Sequence, residues 1–171
     1  MELINLTRSL RPFRHIFVTG PQRSWTRFIS KAIAYDLGIP HVDETVFNID
    51  NANALNRILG TMEFAVIHCP GLCYCIENIA GKDDAVVMIF RPVEEIIASQ
   101  ERINWAEEKS ELRKYGEIQG PISTVKYAHW ATRQKRLIAN PFEFNYHDFK
   151  DHRLFVPKPQ RTNFKWNQTQ P

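Results

Sequence analysis

The apolar run Ile16-Phe17-Val18 passes at once into the turn Gly20-Pro21-Gln22-Arg23-Ser24-Trp25-Thr26-Arg27, and a helix-forming stretch follows to Leu37. A strand that turns directly into a helix presents backbone N–H groups to one spot, and the helix dipole makes that spot attractive to an anion. Arg23, Thr26 and Arg27 add side-chain donors. Cations at a helix N-terminus are unfavourable unless an anion is present, so two arginines there point to a bound phosphate. The turn lacks the Gly-Lys-Ser/Thr ending of the loop that cradles ATP or GTP with magnesium, and a different phosphorylated ligand is implied.

The rest of the chain repeats the pattern. Apolar runs at 16–19, 64–68 and 86–90 alternate with helix-like stretches at 26–37 and 93–114, with a short strand at 40–43 and a helix at 50–59 between the first two runs. This order predicts an α/β fold with a parallel sheet and crossover helices. Val86-Val87-Met88-Ile89-Phe90 is apolar without alternation, as expected of a strand covered on both faces. A helix over 122–138 and a strand over 142–146 complete the set, and 116–121 interrupts it.

At 171 residues and 43% hydrophobic, the chain can bury a core as a single domain, 1–171. Its net charge of +3 suits an anionic ligand, but the basic residues between Glu94 and Lys114 alternate with acidic ones, which argues against nucleic acid as a partner. No apolar run reaches the length of a membrane span, and Met1-Glu2-Leu3 does not begin a secretory leader, so the expectation is a soluble cytoplasmic protein. Cys69, Cys73 and Cys75 form an odd cluster beside His68 that fits reduced thiols packed as small apolar groups. The single residue between Cys73 and Cys75 is poor spacing for zinc.

In an open parallel sheet ligands bind beyond the carboxyl ends of the strands. Three places there carry chemistry: the turn after the first strand, His68-Cys69-Pro70 after the third, and Arg91-Pro92 after the fourth. A helix beginning near Pro92 puts Ser99 about two turns along, on the face toward the sheet. Arg91 and Ser99 could then hold a second phosphate, Arg91 by its forked donors. The competing role for Arg91 is an ion pair with Glu94 or Glu95, and for His68 a buried, satisfied imidazole. The aromatic residues Trp105, Tyr115, Tyr127 and Trp130 read as core or as lining of an acceptor pocket.

Together, the turn Pro21 to Phe28, the His68-Cys69-Pro70 turn and the Arg91 to Ser99 spacing resemble the sulfotransferases that use 3′-phosphoadenosine 5′-phosphosulfate (PAPS). That resemblance implies a three-layer P-loop-like fold, with a central, mainly parallel sheet flanked by helices. It gives Arg23 the place of the basic residue that grips the 5′-phosphosulfate and Ser24 and Thr26 the places of its hydroxyls. Arg27 falls where threonine or arginine stands, and Phe28 where an aromatic often stacks on adenine. Trp25 stands where the loop glycine is usual. Arg91 and Ser99 match the pair that binds the 3′-phosphate, and His68 matches the catalytic base of a His-Leu-Pro turn. Tyr146-His147-Asp148-Phe149 is similar to a Tyr-Glu-Asp-Leu segment, and the stretch from Arg161 to Lys165 to a C-terminal phosphate-binding loop.

The expected reaction is transfer of a sulfuryl group from PAPS to a hydroxyl or amine of a small-molecule or carbohydrate acceptor, leaving adenosine 3′,5′-bisphosphate. Arg23 and the loop N–H groups would stabilise developing charge while His68, or Glu44 as the rival base, takes the acceptor's proton. No metal is required, because a sulfuryl group carries less charge than a phosphoryl group and basic side chains can suffice. Two other readings stay open. One is a P-loop kinase with an altered loop, using Asp43 or Glu44 as base, and the other is a binding protein that kept the nucleotide pocket without turnover.

Overall fold

The computed structural model describes residues 7–47, 52–104 and 122–155. Five strands, β1 (His15–Thr19), β2 (His41–Asp43), β3 (Ala65–His68), β4 (Ala85–Phe90) and β5 (Pro141–Asn145), form one sheet in the order β2-β3-β1-β4-β5. Every pairing is parallel. The strand that leads into the turn is therefore the central one, and its carboxyl end has neighbours on both sides. The fold is α/β and three-layered, a parallel sheet with helices packed on both faces.

The two faces of the sheet follow from the period-two alternation of side chains along a strand. Ile16 and Val18 of β1 and Ala85, Val87 and Ile89 of β4 join Ile29, Ala32 and Ile33 of helix α1 (Thr26–Leu37) in one core. On the other face Phe17, Val86 and Met88 pack with Leu55 of α3 (Ala52–Thr61) and Trp130 of α5 (Thr124–Leu137). The unalternating β4 segment is interior, as its composition predicts. Cys69, Cys73 and Cys75 are buried free thiols, and burial raises Cys69 well above the usual thiol range and Cys75 to about 11. Trp130 is fully buried with its indole N–H on the Cys73 carbonyl at 2.9 Å, and Tyr127 lies against it, which makes both core residues.

Several predicted boundaries change. The helix expected over 93–114 is α4, Val93–Glu101, and the chain leaves it through Asn104, whose φ of 49° is left-handed. The last strand ends at Asn145 rather than at 146. Asn145 caps the short 3₁₀ turn Tyr146–Phe149: its side chain accepts from the His147 N–H at 3.0 Å while Asp148 accepts from the Asn145 N–H at 3.2 Å. That reciprocal cap pulls Tyr146 out of the strand and aims it toward α4. Between β2 and α3 lies a single helical turn, α2 (Glu44–Phe47). Trp105, Tyr115 and Arg161 lie outside the described residues. Among the described residues no helix is long and apolar enough to cross a membrane.

Candidate functional site

The turn after β1 depends on glycine where it leaves the sheet. Gly20 has φ +150°, and a Cβ there would sit 2.9 Å from the Ile89 carbonyl oxygen and 3.1 Å from Ser24 Oγ. Ser24 is fully buried and donates to the Pro21 carbonyl at 2.5 Å, closing the turn on itself. Ser24, expected as a ligand hydroxyl, thus also shapes the loop. Arg23 and Trp25 are left-handed, with φ of 78° and 71°. Such a conformation costs an L-residue about 1–2 kcal/mol. The tryptophan therefore adopts the backbone a glycine would supply. Its ring stacks on Phe155 at 5.4 Å and meets Tyr146 and Phe28 edge-on at 5.4 and 5.9 Å. Aromatic pairs of this kind contribute about 0.5–1.5 kcal/mol each, enough to offset the backbone term. Phe28, the residue expected beneath an adenine, is also edge-on to His152 and Phe155.

Trp25 is the N-cap of α1, and it offers no side-chain hydrogen bond to the first turn, which also lacks an acidic residue. The first-turn N–H groups of a helix have no intrahelical acceptor. The end of α1 facing the carboxyl edge of the sheet thus has the polarity that favours an anion.

Beside it sits a cluster assembled by strand register. Asp43 pairs with His68 across β2 and β3, and His68 pairs with Val18 across β3 and β1. His68 is buried, with Nε2 3.0 Å from Thr26 Oγ1 and Nδ1 3.4 Å from Asp43 Oδ2, the latter outside hydrogen-bond geometry. Thr26 can donate to Nε2 only if the ring proton is on Nδ1, the tautomer that the Asp43 carboxylate favours. Burial alone would raise the Asp43 carboxyl, but His68, Arg27 and the Thr45 N–H hold it far below the ordinary carboxylate range. It is ionised throughout the working pH range. Glu44 moves the other way, raised by burial and by the neighbouring Asp43 charge although it accepts from the Gly71 N–H at 3.1 Å.

Arg27 does not point at the turn. Its Nε and Nη2 reach Asp43 Oδ2 and Oδ1 at 2.8 and 3.0 Å, a bidentate pair, so the anion beside this arginine is supplied by β2. Arg27, expected among the phosphate donors, is engaged by Asp43 in this structure. The first turn of α1 faces the β2 edge, and the fork closes on the nearest carboxylate. Arg23 does turn inward: its Nε donates to Ser99 Oγ at 3.1 Å, with Ser99 buried on the sheet-facing side of α4. Arg91 donates from Nη1 to the Arg23 carbonyl at 2.6 Å and pairs with Glu95 through Nε at 3.0 Å. Ser99, expected to pair with Arg91, is met here by Arg23, while Arg91 reaches the Arg23 carbonyl and makes the Glu95 ion pair weighed against phosphate binding.

Sequence reasoning underused Asp43. Named only as a rival base, it is the hub that holds both Arg27 and His68. The available signal was its position at the end of a short strand, but its partners depend on register, which no local pattern reveals. His41 was not anticipated at all. Burial, with the charge of His68 added, lowers it to about 4, and its Nε2 lies 2.9 Å from Ser30 Oγ. A histidine depressed in the folded state contributes stability that is full above its unfolded value of about 6.5. That contribution is lost as pH falls through 4. Urea unfolding should therefore show stability declining between pH 6.5 and 4, and His41→Gln should flatten that decline. An unchanged slope in the variant would remove His41 as the cause.

No family model matches this sequence, and no curated protein matches it. Among solved structures, a gluconokinase from Sinorhizobium meliloti is similar at a TM-score of 0.46 and 14% identity, covering 80% of this chain and 83% of that one.

Proposed function

We propose that this chain is a group transferase that takes its donor from a phosphorylated nucleotide and uses His68 as general base. The observation that carries this reading is the Thr26–His68–Asp43 array at the mouth of the loop. A hydroxyl, an imidazole and a carboxylate in line are the arrangement that activates an attacking hydroxyl. In the free protein Thr26 holds Nε2; an acceptor hydroxyl entering at that position would give its proton to Nε2 while Asp43 stabilises the imidazolium. The acceptor oxygen then bonds to the transferred group as the bond to the donor phosphate breaks. The uncapped N-terminus of α1 and the Arg23 guanidinium lie where the leaving phosphate would gather charge.

Two donors fit this scheme. The convergence of Arg23, Arg91 and Ser99 supports a sulfuryl donor with a second phosphate, PAPS, whose 3′-phosphate would meet Arg91 and Ser99. The ionised Asp43 at a strand end beside the loop supports the other, phosphoryl transfer of the kinase type. Thermal stabilisation separates them. Adenosine 3′,5′-bisphosphate should raise the melting temperature more than AMP at equal concentration; at a hundredfold excess over its own Kd a ligand stabilises the folded protein by about 2.7 kcal/mol. Equal shifts for these two would eliminate the 3′-phosphate assignment, and a larger shift with ATP and magnesium, accompanied by ADP formation, would establish the kinase.

A further inference from the structure

The Arg91–Glu95 pair has the form of an occupied anion site. Three donors approach one carboxylate oxygen, Glu95 Oε2: Arg91 Nε at 3.0 Å, Arg91 Nη2 at 2.9 Å and the Tyr146 hydroxyl at 2.6 Å. A further cation lies behind them, Lys150 Nζ 5.3 Å from the Tyr146 ring centroid, and the His147 ring stands 3.9 Å from the same centroid. The Arg91 guanidinium also lies 4.9 Å over the Tyr146 ring. A forked guanidinium and a phenol converging on one oxygen recognise a phosphate or sulfate as well as they recognise a carboxylate.

The donors are held independently of the carboxylate. Arg91 Nη1 is tied to the Arg23 carbonyl, and the Arg91 carbonyl accepts from the Tyr127 hydroxyl at 3.0 Å. Tyr146 is placed by the Asn145–Asp148 cap and by its contact with Trp25. Glu95 is the exposed member: its side chain is 40% accessible against 13% for Arg91, and it stands in the first turn of α4 where it can swing to solvent. Removing it would leave a preformed cationic pocket next to the turn.

We propose that Glu95 is an internal phosphate mimic, and that a phosphate or sulfate group binds to Arg91 and Tyr146 by displacing it. The carboxylate then sets the affinity of the site, because a ligand binds only the fraction of molecules in which Glu95 has swung away. It also shields the charge of the arginine when no ligand is present. The inference rests on the nucleotide reading only for the identity of the ligand, since the site itself is defined by its donors.

The test measures binding of inorganic phosphate and inorganic sulfate to the full chain by calorimetry. Glu95→Gln keeps the shape and an acceptor for the Tyr146 hydroxyl but removes the competing charge, and it should raise affinity for both anions tenfold or more. Glu95→Asp, too short to reach both donors, should raise it as well and serves if the glutamine variant does not fold. Adding Arg91→Ala to Glu95→Gln should abolish the gain. No gain in either folded variant, or a gain that persists without Arg91, overturns the proposal. A gain for phosphate with no further gain for adenosine 3′,5′-bisphosphate over phosphate would leave this site standing and remove the nucleotide reading.

Discussion

Replacing His68 with alanine is expected to lower turnover by on the order of 10²–10⁴ while nucleotide affinity changes little, because the imidazole serves the acceptor and not the donor. Its Nε2 is 3.0 Å from Thr26 Oγ1 at the mouth of the turn, and its other nitrogen faces the ionised Asp43. Asp43→Asn should keep the packing but withdraw the charge that stabilises the imidazolium, lowering turnover and shifting the acidic limb of the pH–rate profile. Asp43 acts through His68 and is a positioning residue, so a loss of stability with an unshifted profile would assign it to structure alone. Glu44→Gln is the control, since Glu44 accepts from the Gly71 N–H and makes no contact with His68 that geometry defines as a hydrogen bond. Should Glu44→Gln abolish transfer while His68→Ala stays near wild type, the base is Glu44.

The second large effect is on folding. Gly20→Ala forces a side chain onto a residue at φ +150°, with its Cβ 2.9 Å from the Ile89 carbonyl of the neighbouring strand. The backbone conformation alone costs about 1–3 kcal/mol for a residue other than glycine. Overpacking against a carbonyl that cannot move without disturbing β4 adds about 1–3 kcal/mol more. Denaturant unfolding should show a fall in midpoint with little change in slope. A variant within about 0.5 kcal/mol of wild type would mean that the turn relaxes freely and that Gly20 does not set its shape.

Architecture was readable because its signals are local. Alternating apolar runs and helix-like stretches, bounded by Gly20, Gly38 and Pro92, specify strand, turn and helix one element at a time, and the parallel sheet follows from their order. The end of α1 was legible for the same reason: Gly38 takes the left-handed C-cap conformation with φ of 68°. The three strand-end positions could also be inferred, since placement at a strand's carboxyl end depends only on knowing where the strand stops.

What each charged side chain does at that edge was decided by tertiary structure. Arg23 and Arg27 are four residues apart on the same turn and looked equivalent, yet one reaches Ser99 on α4 and the other closes on Asp43 of β2. The choice depends on which strand lies beside the first turn of α1, a consequence of the order β2-β3-β1-β4-β5. Register sets Asp43 beside His68, and a slip of β2 by one residue would turn Asp43 to the face opposite His68. Trp25 shows the same division. Its position in the turn demanded a glycine-like backbone, but only the ring cluster formed with Phe28, Tyr146 and Phe155 explains how a tryptophan tolerates it. Tyr146 and Phe155 come from segments more than a hundred residues away, and long-range packing of that kind leaves no trace in local sequence. Local preference thus determined the elements and the backbone of the turn, while ion pairing and aromatic packing, which depend on distance in space, were left to the folded chain.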